Sequence, residues 1–275
     1  SDVYKRQHIQ DFHYWARFNY SFARNEIIYM DEVQKRYDYQ MTTGRRKNQF
    51  FGLIFDGYYN SWEEINALDR PKSSWSGNQL QPGDVKYVDV NQDGVIDDYD
   101  MVPIGYTPVP EIIYGFSFGA QYKGFDFSVT TYGAFGAQVA RSWRKFSDGQ
   151  YENYTTEVYD YWHGEGTSNR YPLLVPGNSG QNFQAISDIY IDDADYVRIQ
   201  NLTIGYDFKR IWKNCPFQQL RVYAAAQNLF TFTGYKGMDS ENGRALNDKE
   251  PWVTGVDVGN YPQPRTYMVG VNVKF

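Results

Sequence analysis

The densest set of chemically capable side chains runs from Asp89 to Asp100. Asp89, Asn91, Asp93 and Asp97 put side-chain oxygens at the first, third, fifth and ninth positions of a loop that Asp100 closes at the twelfth. Gly94 stands sixth, where such a loop turns sharply, and Val95 offers a main-chain carbonyl at the seventh. Calcium takes about six to eight hard oxygens around one point, and this spacing delivers them. The last position departs from an EF-hand, carrying Asp where the bidentate ligand is Glu, and no helical period flanks the loop. Two readings stand: a stand-alone structural Ca2+ loop with ligands Asp89, Asn91, Asp93, Val95, Asp97 and Asp100, or an Asp/Asn-rich turn that folds without metal. In both, its work is to pin a long polar segment.

No other pattern points to bond chemistry, and the expectation is that the chain is not an enzyme. Gly115-Phe-Ser117-Phe-Gly119 matches the G-x-S-x-G nucleophile elbow, but an elbow needs a strand, a sharp turn and a helix, and Ser117 sits inside a continuing alternation. His8, His13 and His163 with the single Cys215 do not reach zinc-ligand spacing, and one cysteine forms no disulfide within the chain. The Asp97-Asp98 and Asp192-Asp193 pairs fall in loops and read as solvated charge. Sequons begin at Asn19, Asn153 and Asn201, two of them inside strand patterns. Trp143, Trp162 and Trp252 stud the long loops, where they either stack on sugar rings or pack the loops together.

The elements that carry these residues are strands. Arg265 to Phe275 alternates strictly, with Tyr267, Val269, Val271, Val273 and Phe275 on one face and Thr266, Met268, Gly270, Asn272 and Lys274 on the other. From Asp11 to Ala23 the even positions are all apolar. Ile112 to Tyr122 and Phe125 to Phe135 form a hairpin about a Lys123-Gly124 turn. Tyr196 to Phe208 is less clean: Leu202, Ile204, Tyr206 and Phe208 share a face on which Arg198 and Gln200 also fall. Either the upper part stands above a bilayer or a bulge near Gln200 shifts the parity. Leu220, Val222, Ala224, Ala226, Phe230 and Phe232 line another face, opposite Arg221, Tyr223 and Gln227. The polar regions Ile27–Glu111, Arg141–Asp193 and Gly234–Pro264 lie between, the first with a short helix expected at Ser61–Asp69. The opening Ser1–Gln7 fits no strand pattern and reads as a junction rather than native sequence, before a unit spanning 8–275.

Composition narrows the class. A net charge of −6 offers no basic stripe, so no nucleic-acid partner is expected. Aromatics make up 19% of the chain, as interfacial girdles of a membrane barrel require, and no apolar run reaches the ~20 residues of a spanning helix. The connections alternate between short and very long, as in outer-membrane barrels. The fold expected is all-β: about six strands of an antiparallel up-and-down transmembrane β-barrel with long extracellular loops and lipid outside. The alternative is a secreted, calcium-stabilised all-β domain that binds glycan through loop aromatics.

The ordered series Gly83-Asp-Val-Lys-Tyr-Val-Asp-Val-Asn-Gln-Asp-Gly-Val-Ile-Asp97, Ile104-Gly105, Pro110, Tyr114-Gly115-Phe116, Tyr122-Lys-Gly-Phe-Asp126, Asp195 to Tyr206 and Ala226-Gln-Asn-Leu-Phe230 resembles the SusC/RagA family of TonB-dependent outer-membrane transporters. The resemblance implies a Bacteroidetes-type outer membrane and a barrel of about 22 strands around a plug. It also implies a SusD-like surface lipoprotein at the mouth, energy from the TonB complex through the missing N-terminal part, and oligosaccharide or peptide substrates. On that reading the chain is a C-terminal part of the barrel with the plug domain absent.

Overall fold

The computed structural model describes residues 2–9, 11–74, 80–141, 156–167, 170–173, 182, 186–241, 255–257, 259 and 261–275. Seven strands form one antiparallel sheet in which every neighbour in space is a neighbour in sequence among the long strands. They are β1 (Asp2–Ile9), β2 (Phe12–Phe22), β3 (Ile112–Tyr122), β4 (Phe125–Phe135), β5 (Tyr196–Asp207), β6 (Gln219–Thr233) and β7 (Thr266–Lys274). Six of them follow the alternation. The seventh is a surprise: β1 has no apolar period, yet it pairs with β2 from Asp2↔Asn19 to Ile9↔Phe12. Strand pairing draws on main-chain hydrogen bonds and on the neighbour's side chains, so a patternless segment beside a strong partner can still join.

The β3–β4 turn has Lys123 and Gly124 at φ of 46° and 91°, the left-handed pair that matches the twist of a two-residue hairpin. Both registers of β5 shift near Gln200: Thr130↔Asn201 is followed by Thr131↔Ile199, and Asn201↔Gln227 by Ile199↔Phe230. The bulge alternative is therefore the correct one. It moves Arg198 off the apolar face and brings Ile199 and Val197 onto it.

The three long connections all leave from one end of the sheet, and the short turns lie at the other. The long ones are not structureless. In the first, Phe51–Gly52 pairs with Val102–Pro103, Phe55–Tyr58 with Val85–Tyr87, and Lys72–Ser73 with Val95–Ile96. Gln138–Arg141 then joins Ile191–Asp193 of the second connection to Val256–Asp257 of the third. A core of Leu53, Tyr58, Val85, Tyr87, Ile96 and Trp162 locks the first two together, and Ala137, Val139, Ala194 and Tyr235 form a second core beneath. The expected helix is a single turn, α1 (Trp62–Ile65), with the Ser61 hydroxyl accepting from the Glu64 amide. No helix among the described residues is long and apolar enough to cross a membrane.

Candidate functional site

The sheet's two faces differ in kind. Rows across the strands on one face read Ala16–Phe118–Val129–Leu202–Ala226–Tyr267 and Tyr14–Ala120–Phe127–Ile204–Ala224–Val269. Of their large members Ile204, Tyr267 and Val269 are exposed, Val269 to 81%, and Tyr14, Phe118, Phe127, Val129 and Leu202 are half-buried. A soluble monomer does not leave an apolar face of this extent in water. On the opposite face, the row between them reads Trp15–Gly119–Ser128–Thr203–Ala225–Met268, small or polar in its middle. The next row toward the long connections reads Arg17–Ser117–Thr130–Asn201–Gln227–Thr266, polar at every position. Such a sheet divides lipid from water.

On the polar face near the short turns, Arg221 reaches Asp126 through Nε at 2.8 Å and Nη2 at 2.5 Å. The pair lies across Gly205, where a Cβ would fall 2.5 Å from Asp126 Oδ1 and 2.7 Å from Arg221 Nε. Glycine is what lets a fork-to-fork ion pair cross the strand between.

At the loop end of the same face, Arg198 is 3% exposed. Its Nε donates to Thr231 Oγ1 at 3.0 Å, Nη1 to Glu241 Oε2 at 2.9 Å, and Nη2 to Asp239 Oδ1. Tyr132 Oη also donates to Glu241, at 2.7 Å. One wall arginine thus holds the third long connection down onto the polar face. Nearby, buried Arg141 pairs with Asp192 within the second connection, and Tyr235 Oη donates to buried Asp257 at 2.5 Å within the third. The Arg141 guanidinium over the Tyr235 ring, 5.9 Å from its centre, links the two. In the outer layer Asn182 accepts from the Val85 amide at 2.8 Å and donates to Asp84 at 2.9 Å.

The predicted calcium residues fall in one loop. The Asp89 carboxylate accepts from the amides of Asp93 and Gly94, Asn91 Oδ1 from Asp93, and Asp93 Oδ1 from Val95. Asp97 caps a turn of 3-10 helix at Asp98–Asp100 and accepts from Tyr99 at 2.7 Å. Asp100 is fully buried and takes the amides of Val90, Asn91 and Asp97. Burial nonetheless pushes the Asp100 carboxyl up, outweighing the three amides that favour its charge. As placed, these oxygens are spent on the loop's own amides, and among the described residues no three His, Cys, Asp or Glu side chains converge as a metal cage. The loop is joined to its surroundings by Lys72 N–H to Gly94 O, 2.8 Å, and Tyr39 Oη to Tyr99 O, 2.6 Å.

Ser117 lies in mid-strand against Thr130, with hydroxyls 3.2 Å apart, so the elbow geometry is absent. Trp162 packs the loops, donating to Asn60 at 3.4 Å, whereas Trp143, Trp252 and Asn153 lie outside the described residues. Asn19 and Asn201 are strand residues. Asp192 is an ion-pair partner of Arg141 and not solvated charge. Arg198, Asp239 and Glu241 were not reachable by motif. Their only trace in the sequence is the break in parity near Gln200.

No protein-family model matches the chain. It is similar over 97% of its length, at 26% identity, to TonB-dependent receptor P3 of Formosa agariphila, and over 71%, at 30% identity, to TonB-dependent receptor SusC of Bacteroides thetaiotaomicron. It covers 27% and 18% of those proteins, at most about a quarter of their length. Among solved structures, the RagAB peptide importer in its open-open state superposes on the whole chain with a TM-score of 0.68 at 19% identity, the chain covering 28% of it. The closed-closed state gives 0.66.

Proposed function

We propose that this chain, a stretch of a SusC/RagA-type TonB-dependent receptor, supplies wall and extracellular mouth to an outer-membrane importer of oligosaccharides or peptides. The observation that carries the reading is the two-faced sheet with every long connection gathered at one end into shared cores. The apolar face meets lipid, the polar face lines the lumen, and the connections form the mouth that a SusD-like surface lipoprotein covers in a Bacteroidetes-type outer membrane. TonB acts through the remainder of the receptor, and the chain's own residues line a path and do no bond chemistry. A seven-stranded sheet has two edges, so closure around a lumen needs strands beyond these. In the source organism, deleting the whole receptor gene should abolish uptake of its oligosaccharide or peptide, and restoring it should return uptake only while the inner membrane is energised. Unchanged uptake in the deletion, or uptake that ignores collapse of the proton gradient, defeats the reading.

Calcium at Asp89, Asn91, Asp93, the Val95 carbonyl, Asp97 and Asp100 is a second proposal, supported by donor type and spacing. A carboxylate has about four acceptor sites, so one that accepts an amide keeps lone pairs for an ion. The expected role is to clamp the first connection, with no part in transport chemistry. Calcium at about 100 times its dissociation constant should stabilise the loop of the intact receptor by about 2.7 kcal/mol. Hydrogen exchange at the Gly94 and Asp97 amides reads this directly. Equal exchange with calcium and with chelator would leave the metal-free turn as the answer.

A further inference from the structure

Between the polar face and the third connection lies a cavity of about 400 Å³, inside the ~300–1,000 Å³ range of small-ligand sites. Thr231 and Asn228 of β6 form one side, Ser240 and Gln263 of the connection the other, and the Arg198–Asp239 pair closes an end. Ser240 is 4% exposed, and its hydroxyl has no hydrogen-bond partner among the described residues. Buried hydroxyls are nearly always bonded, so an orphan in a cavity wall marks a place where a partner is missing. A serine hydroxyl turns between three staggered positions at little cost, so the group can swing toward a ligand.

The lining says what kind of partner. Its hydroxyls and amides both donate and accept, as sugar hydroxyls do. Arg198 and Asp239 neutralise each other, which among the described lining residues leaves exposed Arg265 as the charge with no described carboxylate on it. Met238 and Pro262 are its apolar members, and no aromatic or branched aliphatic side chain among the described lining residues joins them to seat the larger side chains of a peptide. We propose that the cavity is a subsite for a neutral sugar ring, with Ser240 Oγ bonding one of its hydroxyls. The proposal rests on the importer reading and narrows its substrate class.

The test uses the full receptor in detergent, with maltose, cellobiose and triglycine as probes followed by saturation-transfer NMR. At least one disaccharide should bind, and Ser240→Ala should weaken it about tenfold, the worth of one hydrogen bond. The same change should leave the melting temperature level or higher, because it removes a buried unpaired hydroxyl; Gln263→Ala should weaken binding as well. Sugar binding indifferent to both changes overturns the subsite, and so does a receptor that binds neither disaccharide. Triglycine binding that depends on Ser240 overturns the sugar assignment. None of these results touches uptake by the unaltered receptor, measured in cells, so failure of the subsite and failure of the importer reading are told apart.

Discussion

Val129→Arg is expected to cost the assembled receptor about 2–4 kcal/mol, whereas Ser128→Arg one position away should cost within about 0.5 kcal/mol. Val129 is the fifth of the eleven residues of β4, between Phe118 and Leu202 on the apolar rows. A strand of about this length spans the hydrocarbon layer, so its middle lies near the midplane, where an arginine finds neither water nor counter-ion. Ser128 lies between Gly119 and Thr203 on the polar face, where a guanidinium keeps its hydration. The comparison is made on receptor refolded into lipid vesicles, by urea midpoint and by gel-shift of the heat-modifiable band. Equal penalties at the two positions would mean that both faces meet the same medium, and the wall assignment would fall.

That contrast was legible from the chain itself because the period of a strand is a local property. Phe125 to Phe135 declares its two faces over eleven residues, and Lys123-Gly124 fixes its register to β3. The bulge was legible as one of two explanations for Arg198 and Gln200 on a face where neither belonged. The loop cores were not. Leu53, Val85 and Trp162 meet across more than a hundred positions, with no periodicity to announce it. The same holds for the ion pairs. Nothing around Asp239 or Glu241 names Arg198 as their partner, because the pairing depends on a connection folding back on the wall. Short motifs erred in the opposite direction: G-x-S-x-G is complete in sequence and empty in structure, because Ser117 lies in extended backbone where an elbow demands a turn. The Asp89–Asp100 loop lies between these cases, its spacing plain and its oxygens drawn to amides that spacing could not reveal.

The bulge at Gln200 has a cost that Arg198 explains. It interrupts two ladders and delivers a cation to the polar face, where the side chain is covered and its charge must be met. Asp239, nearly as covered as Arg198, supplies most of the compensation; Glu241, more exposed, is screened by water and contributes less. Arg198→Met leaves Asp239 without its counter-charge in a half-dry site. Removing one partner of a buried pair costs about 3–5 kcal/mol, and the exposure on the acid side puts the expectation near 3. The loss should appear as local opening, with the third connection leaving the wall while the strands stay paired. In planar bilayers the full receptor should then pass more ion current, and protease added outside should cut near Asp239 where the parent resists. Arg198→Lys should recover only part of the hold, since a single ammonium cannot reach Thr231, Asp239 and Glu241 in the fork geometry of a guanidinium. The decisive comparison is Arg198→Met combined with Asp239→Asn. With neither charge left to desolvate, the double variant should be more stable than Arg198→Met alone, a coupling that marks a buried pair. Strictly additive losses, with current and protease resistance unchanged in all three variants, would show that the connection is held by its apolar contacts and that the arginine holds nothing.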